Sequence, residues 1–362
     1  MIPLIVDLET EWRGGQNQAL LLLKGLYERG HAAELVSAHG SSLSHRAKKA
    51  GIHVHSVSRG GFRLPAAARI RSLLADGRIE LVHANEAHAV TAAWLALGNR
   101  NVPFVISRRV GFPLRKGWVA RSRYRRADCI LANSQWVADQ AVASGAPSEK
   151  VRVVYEGAEV PALPTGTQRA EARRHWGVPE DAPLLGCVGV LLPDKGQAWL
   201  IRALAELRKD FPNARLLLAG DGPCRRELET LARQRNLQEA VIFAGFVRAV
   251  ETVYAALDVF LLPSFFEAFN NSLLAAMAYQ IPSIAFRRGA LPELIEDGQS
   301  GLIVSGPEVE EISAAVRRVL LDRTLACHLG EAARARVIAN FTADHMVERT
   351  LEAYEGVLGR VA

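Results

Sequence analysis

Cysteine is scarce in this 362-residue chain: Cys129, Cys187, Cys224 and Cys327 are scattered and have no metal-ligand spacing. That excludes a disulfide-stapled secreted scaffold and makes a reduced, cytoplasmic compartment the simplest expectation. No apolar run reaches the ~18 residues of a membrane-spanning helix. The opening MIPLIVDLE carries no basic leader, so no signal peptide is expected. Basic and aromatic residues do not interleave as in a nucleic-acid-binding module, and no such partner is expected. Acidic side chains are absent between Arg109 and Asp128.

What remains is the composition of a soluble globular protein, 49% hydrophobic and 23% charged. The length suits two α/β domains better than one core. A net charge of +6 favours anionic partners, such as nucleotides, phospholipid surfaces or phosphorylated glycans, without choosing among them.

Short apolar strands alternate with helices along the first half, which argues for a parallel, doubly wound sheet. Ile2 to Val6 is predicted as a strand, Trp12 to Gln16 as a glycine loop holding Gly14 and Gly15, and Gln18 to Arg29 as a helix. Glycines there let a ligand or another backbone approach closely. Strands are further predicted at residues 33–36, 53–57, 81–83, 104–107, 129–132 and 151–154. Arg108 and Arg109 follow the fourth of these, at the end where open α/β sheets bind ligands. Behind them run Arg115, Lys116, Arg121, Arg123, Arg125 and Arg126, with Trp118 and Tyr124 among them. That stretch reads either as a solvated basic helix or as a surface for an anionic acceptor or lipid headgroups. His83 and His88 have no carboxylate or cysteine at metal spacing in the sequence and read as structural histidines.

Pro161 to Gln168, PALPTGTQ, reads as a linker, and a boundary near residue 160 divides the chain almost evenly. The same alternation then resumes, and a helical end is predicted from Glu308 to Leu358. The centre of the second half is Val259-Phe260-Leu261-Leu262, a buried strand, followed by the loop Glu267 to Ser272 and a helix from Leu273 to Met277. A strand entering a helix through a tight loop presents backbone donors and the positive end of a helix dipole, a combination that favours phosphate. Glu267, the one charge in that loop, is either a solvated cap or a ligand contact. Lys195-Gly196 and Gly220-Asp221-Gly222 also follow predicted strands, and in a parallel sheet such ends share one crevice. A lysine, two glycine turns and a helix N-terminus suit a nucleotide diphosphate, although Lys195 alone also reads as a turn lysine. No Asp-x-Asp motif stands at a strand end, so no metal is expected and a departing diphosphate would rely on cations and backbone donors.

The ordered set Gly14-Gly15, Val188-Gly189-x5-Lys195-Gly196, Gly220-Asp221-Gly222-Pro223, Val241-x3-Gly245-Phe246, Ala256-x-Asp258-Val259, Pro263-Ser264, Glu267-x-Phe269, Ala276-Met277-Ala278 and Pro292-Glu293-Leu294-Ile295 resembles the retaining GT-B glycosyltransferases of family 4, glycosyl transferase group 1. No piece is specific alone; their order and spacing are. The resemblance implies two Rossmann-like domains facing a cleft. Residues 1–160 would bind the acceptor, 161–340 the nucleotide-sugar, and a helix in 341–362 would cross back onto the first domain. It implies sugar transfer with retention, without cofactor or catalytic metal, to a glycan or lipid-linked envelope acceptor such as lipopolysaccharide core. On the lipid reading of the basic stretch, Arg115 to Arg126 would make peripheral contact with the inner face of the cytoplasmic membrane. Catalysis would fall to Glu267 and Lys195. Donor contacts would come from Gly14, Gly15, Gly189, Lys195, Gly220, Gly222, Phe246, Val247, Glu267, Phe269, Asn270, Asn271, Ser272 and the position of Ala275; acceptor contacts from Arg108 and Arg109.

Three departures from the family pattern stand out. Ala275 occupies the second glutamate of the E-x7-E motif, which in relatives takes the ribose hydroxyls; each such charged hydrogen bond is worth ~1.5–3 kcal/mol. This leaves open a nucleotide-sugar-binding protein without transfer, or a Glu→Ala inactivated enzyme. Val190 and Leu192 stand where relatives carry an arginine before the lysine, with Arg248 and Arg287 as candidate replacements. Ser107-Arg108-Arg109 stands where many relatives have a histidine, and arginine is no neutral base. A sugar-nucleotide epimerase would need paired acid and base carboxylates that the sequence does not offer.

Overall fold

A computed structural model describes residues 1–58, 63–114 and 117–359. The chain forms two compact units, Met1–Gly157 with Thr342–Ala362, and Ala158–Phe341.

In the first unit seven strands form one parallel sheet: β1 Pro3–Asp7, β2 Glu34–Ala38, β3 His53–Val57, β4 Leu81–Ala84, β5 Phe104–Arg108, β6 Cys129–Ala132 and β7 Val151–Val153. Their order is β3-β2-β1-β4-β5-β6-β7, so the winding reverses between β1 and β4. Alternation along the strands feeds two cores. Leu4, Val6, Phe104 and Ile106 enter one, while Ile5 and Val105 enter the other. The second core is closed by the Gly14–Glu28 helix and the final Ala343–Leu358 helix, which contributes Met346, Val347, Tyr354 and Val357. The two helices approach so closely that a Cβ on Gly25 would lie 2.5 Å from Val347.

The second unit repeats the plan with six parallel strands: β8 Leu184–Val188, β9 Arg215–Ala219, β10 Val241–Gly245, β11 Val259–Leu262, β12 Ser283–Phe286 and β13 Leu302–Val304. Their order is β10-β9-β8-β11-β12-β13, with the reversal between β8 and β11. Each unit is thus a doubly wound α/β fold, as the alternation of strands and helices predicts.

Local chemistry moves several predicted boundaries. The glycine pair is not a loop before the first helix but its first turn: Gln16 and Asn17 N–H groups already donate to Arg13 carbonyl at 3.1 Å. The PALPTGTQ linker ends early, because Thr165 and Gln168 form a reciprocal capping box that starts a helix at Gly166. The long helical end is three helices, Val309–Leu321, Arg323–Asn340 and Ala343–Leu358, the last two started by Asp322 and Thr342 caps. Among the described residues no helix is long and apolar enough to cross a membrane.

Candidate active site

The loops at the carboxyl ends of β8, β9, β11 and β12 are tied to one another by main chain. Phe265 N–H donates to Asp194 carbonyl at 2.8 Å, Leu191 N–H to Asp221 carbonyl at 3.0 Å, and Ala290 N–H to Glu267 carbonyl at 3.0 Å. Glycine is required at these crossings. Gly196 has φ +69°, and a Cβ there would lie 2.2 Å from Pro263 carbonyl oxygen. A Cβ on Gly220 would lie 1.9 Å from Gly189 oxygen, and one on Gly222 2.4 Å from Leu191 oxygen. So Gly196 and the predicted Gly220 and Gly222 keep the loops in contact and the strand tips lined by backbone, with the predicted Gly189 giving its carbonyl to the crossing at Gly220.

Into this setting β8 delivers Lys195 and β11 delivers Glu267, one from each side of the winding reversal. Lys195 Nζ donates to Glu267 Oε1 at 2.8 Å, with the carboxylate side chain only 7% exposed. Charge is concentrated here: the buried Cys187 thiol is pushed up to about 12, by desolvation first and then by the Glu267 charge, with Lys195 opposing. Glu267 is therefore not a solvated cap, and Lys195 is not a free turn lysine.

The helix after Glu267 spans Asn271–Ala278, two residues longer at its start than predicted. Asn270 caps it, its side-chain oxygen accepting from Leu273 N–H at 2.7 Å. The Phe269 ring is buried against Phe341, centroids 6.0 Å apart, so only its backbone borders the loop. Ser272 carbonyl accepts from the buried Tyr254 hydroxyl at 3.2 Å. Ala275 lies on the less buried side of the helix, in line with Asn271 and Tyr279. Phe246 is 68% exposed just beyond β10 at the sheet edge, and Val247 beside it is half-buried. Of the arginines considered as substitutes, Arg287 pairs with Asp297 at 3.1 Å and Arg248 is exposed. A cation that the sequence did not single out, Arg225, stands at the same tips, 2.9 Å from Glu229 and 3.6 Å from Asp221.

Gly14 and Gly15, predicted with the donor set, lie in the first unit. Gly15 carbonyl accepts from Asn85 at 3.1 Å. The strand tips around them are filled by side chains. Asp7 accepts from Gln16 at 3.0 Å and from Asn85 at 2.6 Å, and desolvation raises its pKa. Arg109 donates to Asn85 carbonyl and side chain at 2.9 and 2.6 Å and lies 3.3 Å from Glu156. Glu86 caps the next helix through the N–H groups of His88 and Ala89; burial, reinforced by Asp7, pushes its pKa to about 7. His83 is structural as expected, bonded to Tyr354 at 2.6 Å and Ser107 at 2.7 Å, and burial holds it down to about 3. His88 corrects the sequence: folding brings oxygens of Glu9 and Glu86 within 4.8 Å of its ring nitrogen, a proximity invisible in the spacing.

Arg108 is buried, donating to Tyr124 hydroxyl at 3.0 Å and to Phe112 carbonyl. Arg115 and Lys116 lie outside the described residues. The rest of the basic stretch is largely the Trp118–Arg126 helix, with Trp118 75% exposed.

Comparison with known proteins joins these observations. The family model for glycosyl transferases group 1 matches residues 168–336, and that for glycosyltransferase family 4 matches 12–160. A GDP-mannose-dependent alpha-(1-6)-phosphatidylinositol monomannoside mannosyltransferase of Mycolicibacterium smegmatis is 32% identical over 62% of this chain; the match spans 63% of that protein, under two thirds of its length. A lipopolysaccharide core biosynthesis glycosyltransferase of Rhizobium meliloti is 28% identical over 73% of this chain and 74% of its own. The fold superposes on Anabaena HepE, crystallised with UDP and glucose, with TM-score 0.86 and 21% identity over 98% of this chain and 99% of that one. With both halves matched in order, and with a lysine and a glutamate paired where the second sheet reverses, the chain belongs to the group 1, family 4 glycosyltransferases of GT-B fold.

Proposed function

We propose that the chain moves a sugar from a nucleotide-sugar donor to a glycan or lipid-linked envelope acceptor, with retention at the anomeric carbon and without a metal. The single observation that carries this reading is the 2.8 Å contact between Lys195 and Glu267 at the winding reversal of the second sheet. When the donor enters, Lys195 exchanges its carboxylate partner for phosphate oxygens, and the N-terminus of the Asn271–Ala278 helix adds its dipole. Glu267 then orients the sugar and stabilises positive charge growing at the anomeric carbon. The acceptor hydroxyl attacks from the face that the diphosphate leaves. One carbon–oxygen bond breaks as the other forms, and the hydroxyl proton passes to the departing phosphate. The relatives' names support the donor and acceptor classes: one protein is GDP-mannose-dependent, another acts in lipopolysaccharide core synthesis, and the HepE structures contain UDP. Metal independence rests on the sequence, which has no Asp-x-Asp motif at a strand end. Action at the cytoplasmic face of the membrane belongs to the same proposal.

The test is turnover against a panel of UDP-, GDP- and ADP-sugars, with the product anomer read by NMR. Retention, unchanged by a chelator, is the expected result; an inverted product overturns the mechanism. A second reading, donor binding without transfer, is favoured by Ala275, which offers no hydrogen bond from the ligand-facing helix. Ala275→Glu separates the two: a rise in turnover supports the transferase, and none leaves the binding protein ahead.

A further inference from the structure

The first unit contains a cavity of about 370 Å³ beside the carboxyl end of β5. Arg63, Arg108, Arg123 and His88 line it, and among the described residues no aspartate or glutamate does. Its other wall is apolar, with Val110, Phe112 and Leu114. Arg108 is the decisive residue. It is 6% exposed, yet among the described residues no carboxylate pairs with it, and its Nε has no hydrogen-bond partner. Its bonds go only to neutral oxygens, the Tyr124 hydroxyl and the Phe112 carbonyl. A buried guanidinium without a counter-ion is costly, and folding does not supply one here. Arg63, exposed at the mouth, donates to His88 Nδ1 at 3.2 and 2.8 Å and pairs with no carboxylate among the described residues. Glu9 stands 4.0 Å from the other nitrogen of that imidazole.

We propose that this cavity seats a phosphate group carried on an amphiphile, the phosphate held by Arg63, Arg108 and Arg123 and the apolar portion lying along Val110, Phe112 and Leu114. The proposal rests on the transferase reading only in taking this amphiphile to be the acceptor. Phosphate fits better than carboxylate because three forked guanidinium groups can each address one of its oxygens, whereas a carboxylate has two oxygens and one charge. The apolar wall has matching character at its rim, where Phe112 is 61% exposed. Such a ligand has two sources, a phospholipid headgroup in a bilayer or a soluble phosphorylated glycan precursor, and the chemistry of the seat is common to both.

The experiment measures binding of octyl phosphate to the full chain by calorimetry at low salt, with octyl glucoside and octanoate as comparisons. Octyl phosphate is expected to bind at least about tenfold more tightly than either, and Arg63→Gln and Arg123→Gln each to weaken it about five- to tenfold. Because Arg108→Gln alters a buried position, it is read by melting temperature: octyl phosphate raises it in the parent and leaves it unmoved in the variant. Equal affinity for octyl glucoside, equal affinity for octanoate, or unchanged binding in all three variants overturns the phosphate seat. Sedimentation with phosphatidylglycerol and phosphatidylcholine vesicles separates the sources. Capture by the anionic vesicles that Arg63→Gln weakens supports the seat with a headgroup in it, and octyl phosphate binding without capture supports it with a soluble ligand. Vesicle capture without octyl phosphate binding overturns it in favour of surface attraction. Donor turnover is scored separately. Sugar transfer by a chain that ignores octyl phosphate removes the seat and leaves the transferase; the converse leaves the seat and removes the transferase.

Discussion

The two units share one winding and fill it differently. At the β1/β4 reversal of the first, side chains close the strand tips on themselves: Asp7, Gln16, Asn85, Arg109 and Glu156 are linked within one buried network. At the β8/β11 reversal of the second, glycine backbone lines the tips and Lys195 and Glu267 face each other as a charged pair. The fold offers both reversals as ligand sites. What separates them is whether side chains fill the tips or backbone lines them, so function is argued from the site and not from the topology.

Substitutions can break this contrast. Arg109→Ala strands Glu156 and Asn85 in the closed network and is expected to cost ~3–5 kcal/mol of stability, read by urea unfolding. Nucleotide affinity at the second unit stays within about twofold, and a fall beyond that would show that the two reversals are not independent. Glu267→Ala is expected to reverse this pattern, lowering sugar transfer ~10²–10³-fold while the melting temperature changes little. Gly196→Ala places a side chain at φ +69° against Pro263 carbonyl and is expected to cost ~1–3 kcal/mol and to weaken donor binding. The smallest effect concerns pH. Glu86 titrates near 7 in the fold, above its ordinary 4.5, so the folded state holds the proton more tightly. Its contribution is present below the unfolded value and is lost as pH rises through the folded one. Stability at pH 8 should therefore fall below that at pH 5 by ~1–2 kcal/mol, and Glu86→Gln should flatten the slope.

The strands were legible because buried parallel strands read as apolar runs; β3, β6 and β11 match their predicted limits. The Lys195, glycine and Glu267 loops were legible as chemistry because each follows such a run. Helix starts were less visible. Thr165 and Gln168 carry a capping signature that proline and glycine neighbours disguised as linker, and Asn270 begins its helix two residues before the apolar pattern does. The first unit's network was not legible. Asp7, Asn85 and Glu156 are far apart in the chain, and only the sheet order brings them to one place. For Arg108, a basic run in sequence says nothing about which arginine is buried.

One contact governs how the chain must be made. Gly157 lies so near the start of the last helix that a Cβ on it would stand 2.6 Å from Ala343 Cα, and Ala158 N–H donates to Phe341 carbonyl at 2.9 Å. The second unit is thus an insert whose entry and exit are adjacent. On the ribosome it emerges entire while its host still awaits Tyr354, the partner of His83, so the second unit can mature first and the earlier-synthesised host is completed last.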